Sequence, residues 1–495
     1  MIKEGYRIAV SFFYVYKEKS VLSETAGKKT KCRERRKKMK AKKSQINMLE
    51  GSLWDKILRF ALPLAATGIL QQFFNAADIA IVGRFTGGKG AAAMAAVGAN
   101  TPIIGLLLNF FIGISLGTNV LIANSVGRND ESMIRKAVHT SIVFSVLGGI
   151  ILMVFGELMA ERILLTQNVP ADVLPLAVLY FKIYLAGMPI ILLYNFEAAV
   201  FRGIGNTRTP LIVLFLSGIL NVFFNLFFVI GLHRTVDGVA AATVISNAVS
   251  ALILFVDLLQ VDSVVKVKME ELKIDSIALG KILRIGIPAG IQAAVFAIAN
   301  IIIQAAINSL GVIVMAASSA ALNIEIFAYN VLNSFSQACT TFVGQNFGAG
   351  KITRCKKIIG LCFGEGIVAL GGTVTIILLF GRRLLAIFNP AVDVVEVGYQ
   401  RLIIIFVSYI FTLSYEVLSG YLRGFGISVV PALLTTAGIC GIRITWIYTV
   451  FQSHKTYHNI MMAYPFSLSA TAVLMLSALF VMRPAQRALI QQEKR

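Results

Sequence analysis

Residues 60–84, FALPLAATGILQQFFNAADIAIVGR, decide the fold. The stretch outruns the roughly 20 apolar residues that a helix needs to cross a bilayer, yet it carries a carboxylate, Asp78. At about 100° per residue, Gln71, Asn75 and Asp78 fall on one helical face as a polar stripe. In lipid that stripe has to turn towards other helices or a wet cavity, because a carboxylate near mid-membrane costs roughly 3 kcal/mol or more. Asp78 is therefore the first candidate for a working group. The plain alternative is a structural acid paired with Arg84 at the membrane surface.

The rest of the chain has the same character. Of 495 residues, 57% are hydrophobic and 14% charged, and the mean hydropathy is +0.77, which excludes an ordinary soluble domain. The net charge of +21 would suggest nucleic acid, but residues 1–50 hold 15 Lys/Arg against 5 Asp/Glu and supply about half of it. Lys28–Lys43 reads as a solvated, disordered tail able to lie on anionic lipid, and no nucleic-acid partner is expected. Ile8–Tyr16 is too short to span, and Met48 stands just before the amphipathic lead-in LEGSLWDKILRF, so the extension could also lie outside the working protein. Cys32, Cys339, Cys355, Cys362 and Cys440 show no metal-ligand spacing and no disulfide framework.

Apolar runs separated by Gly-, Asn- and Pro-bearing connections predict twelve spans, near 56–83, 97–123, 136–156, 174–201, 209–232, 237–259, 280–308, 318–343, 355–380, 396–422, 429–451 and 459–482. Lys and Arg concentrate in the even-numbered connections, their flanking turns and the C-terminal tail, which puts both termini in the cytoplasm. The chain divides into a basic tail (1–50), a six-helix lobe (51–260), an amphipathic cytoplasmic connector (261–279), a second six-helix lobe (280–482) and a cytoplasmic tail (483–495).

Those two lobes repeat one another. Lys56-Ile57-Leu58-Arg59…Pro63 recurs as Lys281-Ile282-Leu283-Arg284…Pro288, and Arg202-Gly203-Ile204-Gly205…Pro210 recurs as Arg423-Gly424-Phe425-Gly426…Pro431. Asp172 likewise recurs as Asp393. Arg135-Lys136 recurs as Lys356-Lys357 at the same offset of 221 as Asp172 and Arg202, and that constant offset across three landmarks marks an internal duplication; the Lys56 match lies at 225. Six spans per repeat make the halves parallel, with a site expected between them near mid-membrane. The fold class is all-α and integral to the membrane: twelve transmembrane helices in two pseudo-symmetric six-helix lobes around a central cleft.

Six stretches in this order resemble the multidrug and toxic-compound extrusion (MATE) family of secondary transporters. They are LQQFFNAADIAIVGRF (70–85), ANSVGRND (123–130), RGIGNTRTP (202–210), FVGQNFGAGK (342–351), YLRGFG (421–426) and CGIRITWIYTVF (440–451). The resemblance implies two lobes around a cleft and export of small organic cations or drugs, driven by inward Na⁺ or H⁺. It places the family's coupling acid on Asp78, with Gly83 completing D-x-x-x-x-G. The glutamate that some members carry on the seventh span is Phe296 here, and Glu325 on the next span is offered in its stead.

Other intramembrane polar residues have a structural and a functional reading each. Glu325, with Tyr329 and Ser336 on its face, is a proton, cation or substrate site, or a structural carboxylate. Arg443 needs a partner, for which Glu416 is nearest by reading, as a structural pair or as part of proton coupling. Glu197 is expected to pair with Arg202, Lys357 to neutralise Glu365, and Lys182 to reach the outer interface. Ser217, Asn221 and Asn225 form a stripe that either bonds helix to helix or shares a cation with Asp78, Na⁺ included.

The mechanism follows from the cost of a bare buried carboxylate. Asp78 takes a proton or Na⁺ from outside and gives it up inside, while an anionic cleft with aromatic walls takes the substrate. No cofactor is expected beyond that ion, and the partners are the lipid bilayer and the transported compound, with the chain acting as a monomer in the plasma membrane. A flippase for lipid-linked glycans or lysolipids is the rival reading and requires a basic cleft. A membrane-embedded enzyme or an ATP-driven pump finds no HExxH or Walker A motif.

Overall fold

The computed structural model describes residues 45–86, 90–167 and 169–493; the Ile8–Tyr16 run and the Lys28–Lys43 tail lie outside the described residues. The described residues hold helices and no strand. They are α1 (Trp54–Phe85), α2 (Gly90–Arg128), α3 (Glu131–Thr166), α4 (Leu174–Ala186), α5 (Met188–Gly203), α6 (Arg208–Gly231), α7 (Val236–Gln260), α8 (Ser276–Asn308), α9 (Val312–Gly348), α10 (Ile352–Phe388), α11 (Val392–Gly424), α12 (Val429–Ser453), α13 (Tyr457–Met482) and α14 (Pro484–Glu493). Eleven of these are long and apolar enough to cross a membrane, and α4 with α5 makes a twelfth span, bent by 49°.

That bend departs from the single fourth helix expected. Gly187 sits at the break and Pro189 follows it, with no N–H to give to the preceding turn and a ring that crowds it. The equivalent position in the second half is Ile410, and there α11 runs unbroken. Gly149 of α3 admits the bend: a Cβ there would lie 2.5 Å from the Pro189 nitrogen.

The duplication appears as paired hydrogen bonds. Thr207 Oγ1 donates to the Phe60 carbonyl at 3.2 Å in the first half, and its equivalent Ser428 Oγ donates to the Ile285 carbonyl at 2.6 Å in the second. Between the halves, Asn124 Nδ2 donates to Gly424 O at 3.2 Å, and its equivalent Gln345 Nε2 donates to Gly203 O at 2.9 Å. These two bonds exchange under one two-fold operation. They sit where α2 and α9 cross, at the end of the bundle that carries both described termini and the connector.

Close backbone approach makes this seam possible. Small residues let helices touch where lipid supplies no hydrophobic drive for association. Gly113 faces Gly290, Gly286 faces Ile114, and Gly127 and Gly348 lie against the Gln345 and Asn124 carbonyls. Asn119 and Thr341 add a buried cross-lobe hydrogen bond at 3.2 Å.

Residues 45–51 run across the same end as a strap. Ile46 N–H bonds Gly205 O at 3.1 Å on one lobe, while Asn346, Lys351 and Arg354 donate to the Met48, Leu49 and Gly51 carbonyls on the other. Much of the connector is packed as well: Val265 and Val267 are buried, and Lys268 N–H donates to His139 Nε2 at 3.1 Å. Asp275 caps α8 through the Ala278 N–H and meets Lys136 at 3.0 Å. The C-terminal tail is helical over α14, with Ala485 and Ala488 buried beside Ile352.

Candidate functional site: an acid cluster and an interlobe cavity

Asp78 is 8% exposed and sits inside the first lobe. Its Oδ1 accepts from Asn225 Nδ2 at 2.5 Å and its Oδ2 from Thr243 Oγ1 at 3.2 Å. Asn225 also bonds Asn221 Oδ1 at 3.3 Å, and Asn221 reaches Thr243 at 3.4 Å. Asn225 stands just before the π turn Phe227–Gly231 that ends α6. Its own Oδ1 is buried and has no hydrogen-bond donor. The cluster thus gathers one carboxylate, two amides and a hydroxyl around an acceptor left open, a donor set suited to a proton on the acid or to a small hard cation.

The expected α6 stripe divides along its length. Ser217 bonds Ser250 of α7 at 2.6 Å and serves helix packing, whereas Asn221 and Asn225 join Asp78. Arg84 is exposed, and Asp78 bonds amide and hydroxyl groups instead. Gln71 and Asn75 do not join the cluster; both are exposed. At their level it is Phe74 that meets α6, packed against Gly218, while α1 also leans on α9 through Phe73 against Phe327 and Gly68 against Asn330. Thr243 gave no periodic signal in the sequence and was missed.

The second lobe lacks this cluster. The positions equivalent to Asn221, Asn225 and Thr243 are Ile442, Trp446 and Tyr464, and Asp78 corresponds to Ile303. What it contributes is the wall of a cavity of about 590 Å³ between the lobes, lined by α2, α5, α8, α9, α11, α12 and α13. The glycine seam and the Asn119–Thr341 bond close its floor.

The charged residues of this cavity are arranged otherwise than expected. Glu325 is clamped by Arg401, whose Nε and Nη2 donate at 2.5 and 3.0 Å, with Ser318 taking Nη1. Tyr329 and Ser336 bond Glu416, not Glu325, at 3.4 and 3.3 Å. Arg443 does not pair with Glu416: its Nε donates to Ser467 at 2.9 Å and its guanidinium lies 4.1 Å from the Tyr464 ring centre. A π turn at Thr436–Gly441 shifts the register just ahead of it, which defeats a straight-helix reading.

Arg202 and Glu197 also part company. Arg202 crosses to Gln337 of the other lobe at 3.1 Å, while both Glu197 carboxylate oxygens are buried without a hydrogen-bond partner. Its equivalent Arg423 crosses from α11 to Gln292 of α8 at 2.7 Å. Both arginines line the cavity, and the sequence reading had assigned neither to it. The lining therefore holds four arginines and two glutamates, not the anionic cleft expected. Of the other assignments, Lys182 meets Glu157 at 3.2 Å, and the Glu365 oxygens have no hydrogen-bond partner, Lys357 included. Cys339, Cys355, Cys362 and Cys440 are buried free thiols, and among the described residues no cluster of His, Cys, Asp or Glu has metal-binding geometry.

Comparison with known proteins agrees with the fold and the duplication. The MatE family model matches residues 63–227 and 288–449, one match per lobe. The probable multidrug resistance protein YoeA of Bacillus subtilis is 26% identical over 436 residues, covering 86% of this chain and 92% of that protein. The probable multidrug resistance protein NorM of Thermotoga maritima is 27% identical over 403 residues, covering 79% and 84%. An outward-facing structure of a multidrug resistance MATE family transporter superposes with a TM-score of 0.81 at 20% identity, covering 89% of this chain and 98% of that one. The chain belongs to the MATE family, whose members are multi-pass multidrug efflux transporters and not enzymes.

Proposed function

We propose that the chain exports small amphiphilic drugs across the plasma membrane by antiport with H⁺ or Na⁺, with both termini in the cytoplasm. The observation that carries this is the separation of two chemistries. A buried acid with an open acceptor beside it lies within one lobe, and a larger cavity lies between the lobes. The ion binds at Asp78: a proton on the carboxylate, or Na⁺ held by Asp78 with Asn221, Asn225 and Thr243. Substrate binds in the cavity. Each favours a different arrangement of the lobes, so they exchange through the conformational equilibrium without touching.

For organic cations, Glu416 is the cavity carboxylate not already closed by an arginine, and the aromatic wall includes Phe296, Tyr409 and Tyr464. The arginines favour a second reading, a flippase for lipids with acidic headgroups. Export of ethidium from proteoliposomes, driven by a pH gradient and then by a Na⁺ gradient, tests the antiport reading. Dependence of substrate movement on one gradient supports it; movement at the same rate with both gradients dissipated contradicts it.

A further inference from the structure

The cavity carries more arginine than its own acids can neutralise. Arg202, Arg401, Arg423 and Arg443 line it, against Glu325 and Glu416. The Arg401–Glu325 pair is closed on itself, at 3% and 6% exposure, so those charges cancel. Glu416 is held by Tyr329 and Ser336 and sits two turns from Arg423 on the same helix. Arg202 and Arg443 have no carboxylate partner: one holds an amide oxygen, the other a serine and an aromatic ring. Arg423 spends one nitrogen on Gln292, and its Nε is buried with no acceptor. Arginine inside a membrane protein stays charged, so these groups leave a formal excess of two positive charges in a low-dielectric space.

We infer that the interlobe cavity receives an amphiphile with an anionic headgroup, a carboxylate, sulfonate or phosphate, set on the floor between Arg202 and Arg423. A guanidinium presents parallel N–H donors that match such oxygens, and charge-assisted bonds of this kind are the strong ones. Arg423 lines the cavity with only its Nη2 engaged, on Gln292. Arg443, stacked on Tyr464, holds the wall above, and the apolar body of the ligand lies along Phe296, Leu322, Ile326 and Ile405. Arg202 and Arg423 occupy equivalent places in the two repeats, so the headgroup meets both lobes at the two-fold axis and its binding bridges them. A lipophilic cation in the same place would face the uncancelled guanidinium charge.

This inference rests on the antiport reading for its driving force but not for its selectivity, and the experiment separates the two. The full chain is reconstituted in proteoliposomes, and gradient-driven movement of carboxyfluorescein is compared with that of ethidium. Fluorescently tailed phosphatidylglycerol and phosphatidylcholine are followed in parallel by dithionite bleaching. The expected result is transport of an anionic probe, dye or phosphatidylglycerol, about tenfold or more faster than its cationic or zwitterionic counterpart, as one lost charged hydrogen bond implies. Arg423→Gln lowers that rate by about the same factor, and Arg423→Lys restores part of it. The dye arm moving identifies a free acid, the phosphatidylglycerol arm a lipid headgroup, and either supports the inference. Ethidium moving while neither anion does overturns it and leaves the Asp78 reading intact. Should Arg423→Gln not fold, the selectivity of the unmodified chain decides alone.

Discussion

Adding one methyl group to the seam tests whether its glycines hold the lobes together. In Gly127→Ala the new Cβ would meet the Gln345 carbonyl oxygen well inside contact distance and lie 2.8 Å from the Ala349 nitrogen. Both are backbone atoms of α9 and its terminus, so no side chain can turn away, and relief comes from parting α2 and α9. Overpacking of this kind costs about 1–3 kcal/mol. The Asn124–Gly424 and Gln345–Gly203 bonds lie at the same crossing, and losing one adds roughly 0.6 kcal/mol, the usual worth in a membrane bundle. Together the closed seam loses about 1.6–3.6 kcal/mol, a shift of roughly 15- to 400-fold towards the parted state. Ala123→Cys reports it, since Ala123 is fully buried and faces Gly344 across the seam. Labelling by an impermeant maleimide, with Cys32 replaced, should be slow in the Ala123→Cys background and at least tenfold faster when Gly127→Ala is added. Equal labelling rates would refute the argument that the glycines hold the lobes together. Gly348→Ala, the two-fold equivalent, should act in the same direction.

Three further outcomes follow from the geometry. Arg401→Met leaves Glu325 buried without its partner and should lower stability by about 3–5 kcal/mol, whereas Glu325→Leu with Arg401→Met should recover much of it; unfolding in detergent measures both. Ser217→Ala should cost about 0.6 kcal/mol and leave transport unchanged, while Asn225→Ala, eight residues along the same helix, should impair ion-driven transport with little loss of stability. The Ala278 N–H and the Lys136 ammonium hold the Asp275 carboxyl below the usual carboxylate range. A carboxyl held low in the folded state contributes stability above its unfolded value, lost as pH falls through its folded one. Protection of 261–279 against hydrogen exchange, taken relative to the intrinsic rate at each pH, should therefore fall in acid, and Asp275→Asn should remove that dependence.

What the sequence made legible was what a single helix or a fixed offset carries. The offset of 221 linked Arg202-Gly203 with Arg423-Gly424, and the reciprocal bonds to Gly203 and Gly424 are that symmetry in space. Asn221 and Asn225, four apart on α6, do meet Asp78. Pairings across helices were beyond reach. Arg401 meets Glu325 from 76 positions away, and nothing in either span's periodicity names the other. Arg202 and Arg423 stand near helix ends, where a charged residue reads as interfacial, yet both line the cavity. The Glu416–Arg443 pairing failed at a π turn, which a constant 100° step does not anticipate.

The central claim is that the Asp78 cluster holds the coupling ion, and Asp78→Asn tests it most directly. The amide keeps the shape and the bond accepted from Asn225, turns the Thr243 contact into one it donates, and removes the charge. In proteoliposomes bearing whichever gradient drives the unmodified chain, Asp78→Asn should lose gradient-driven export while still binding substrate and eluting as a folded protein. Export by Asp78→Asn at the unmodified rate, still dependent on the gradient, would contradict the account.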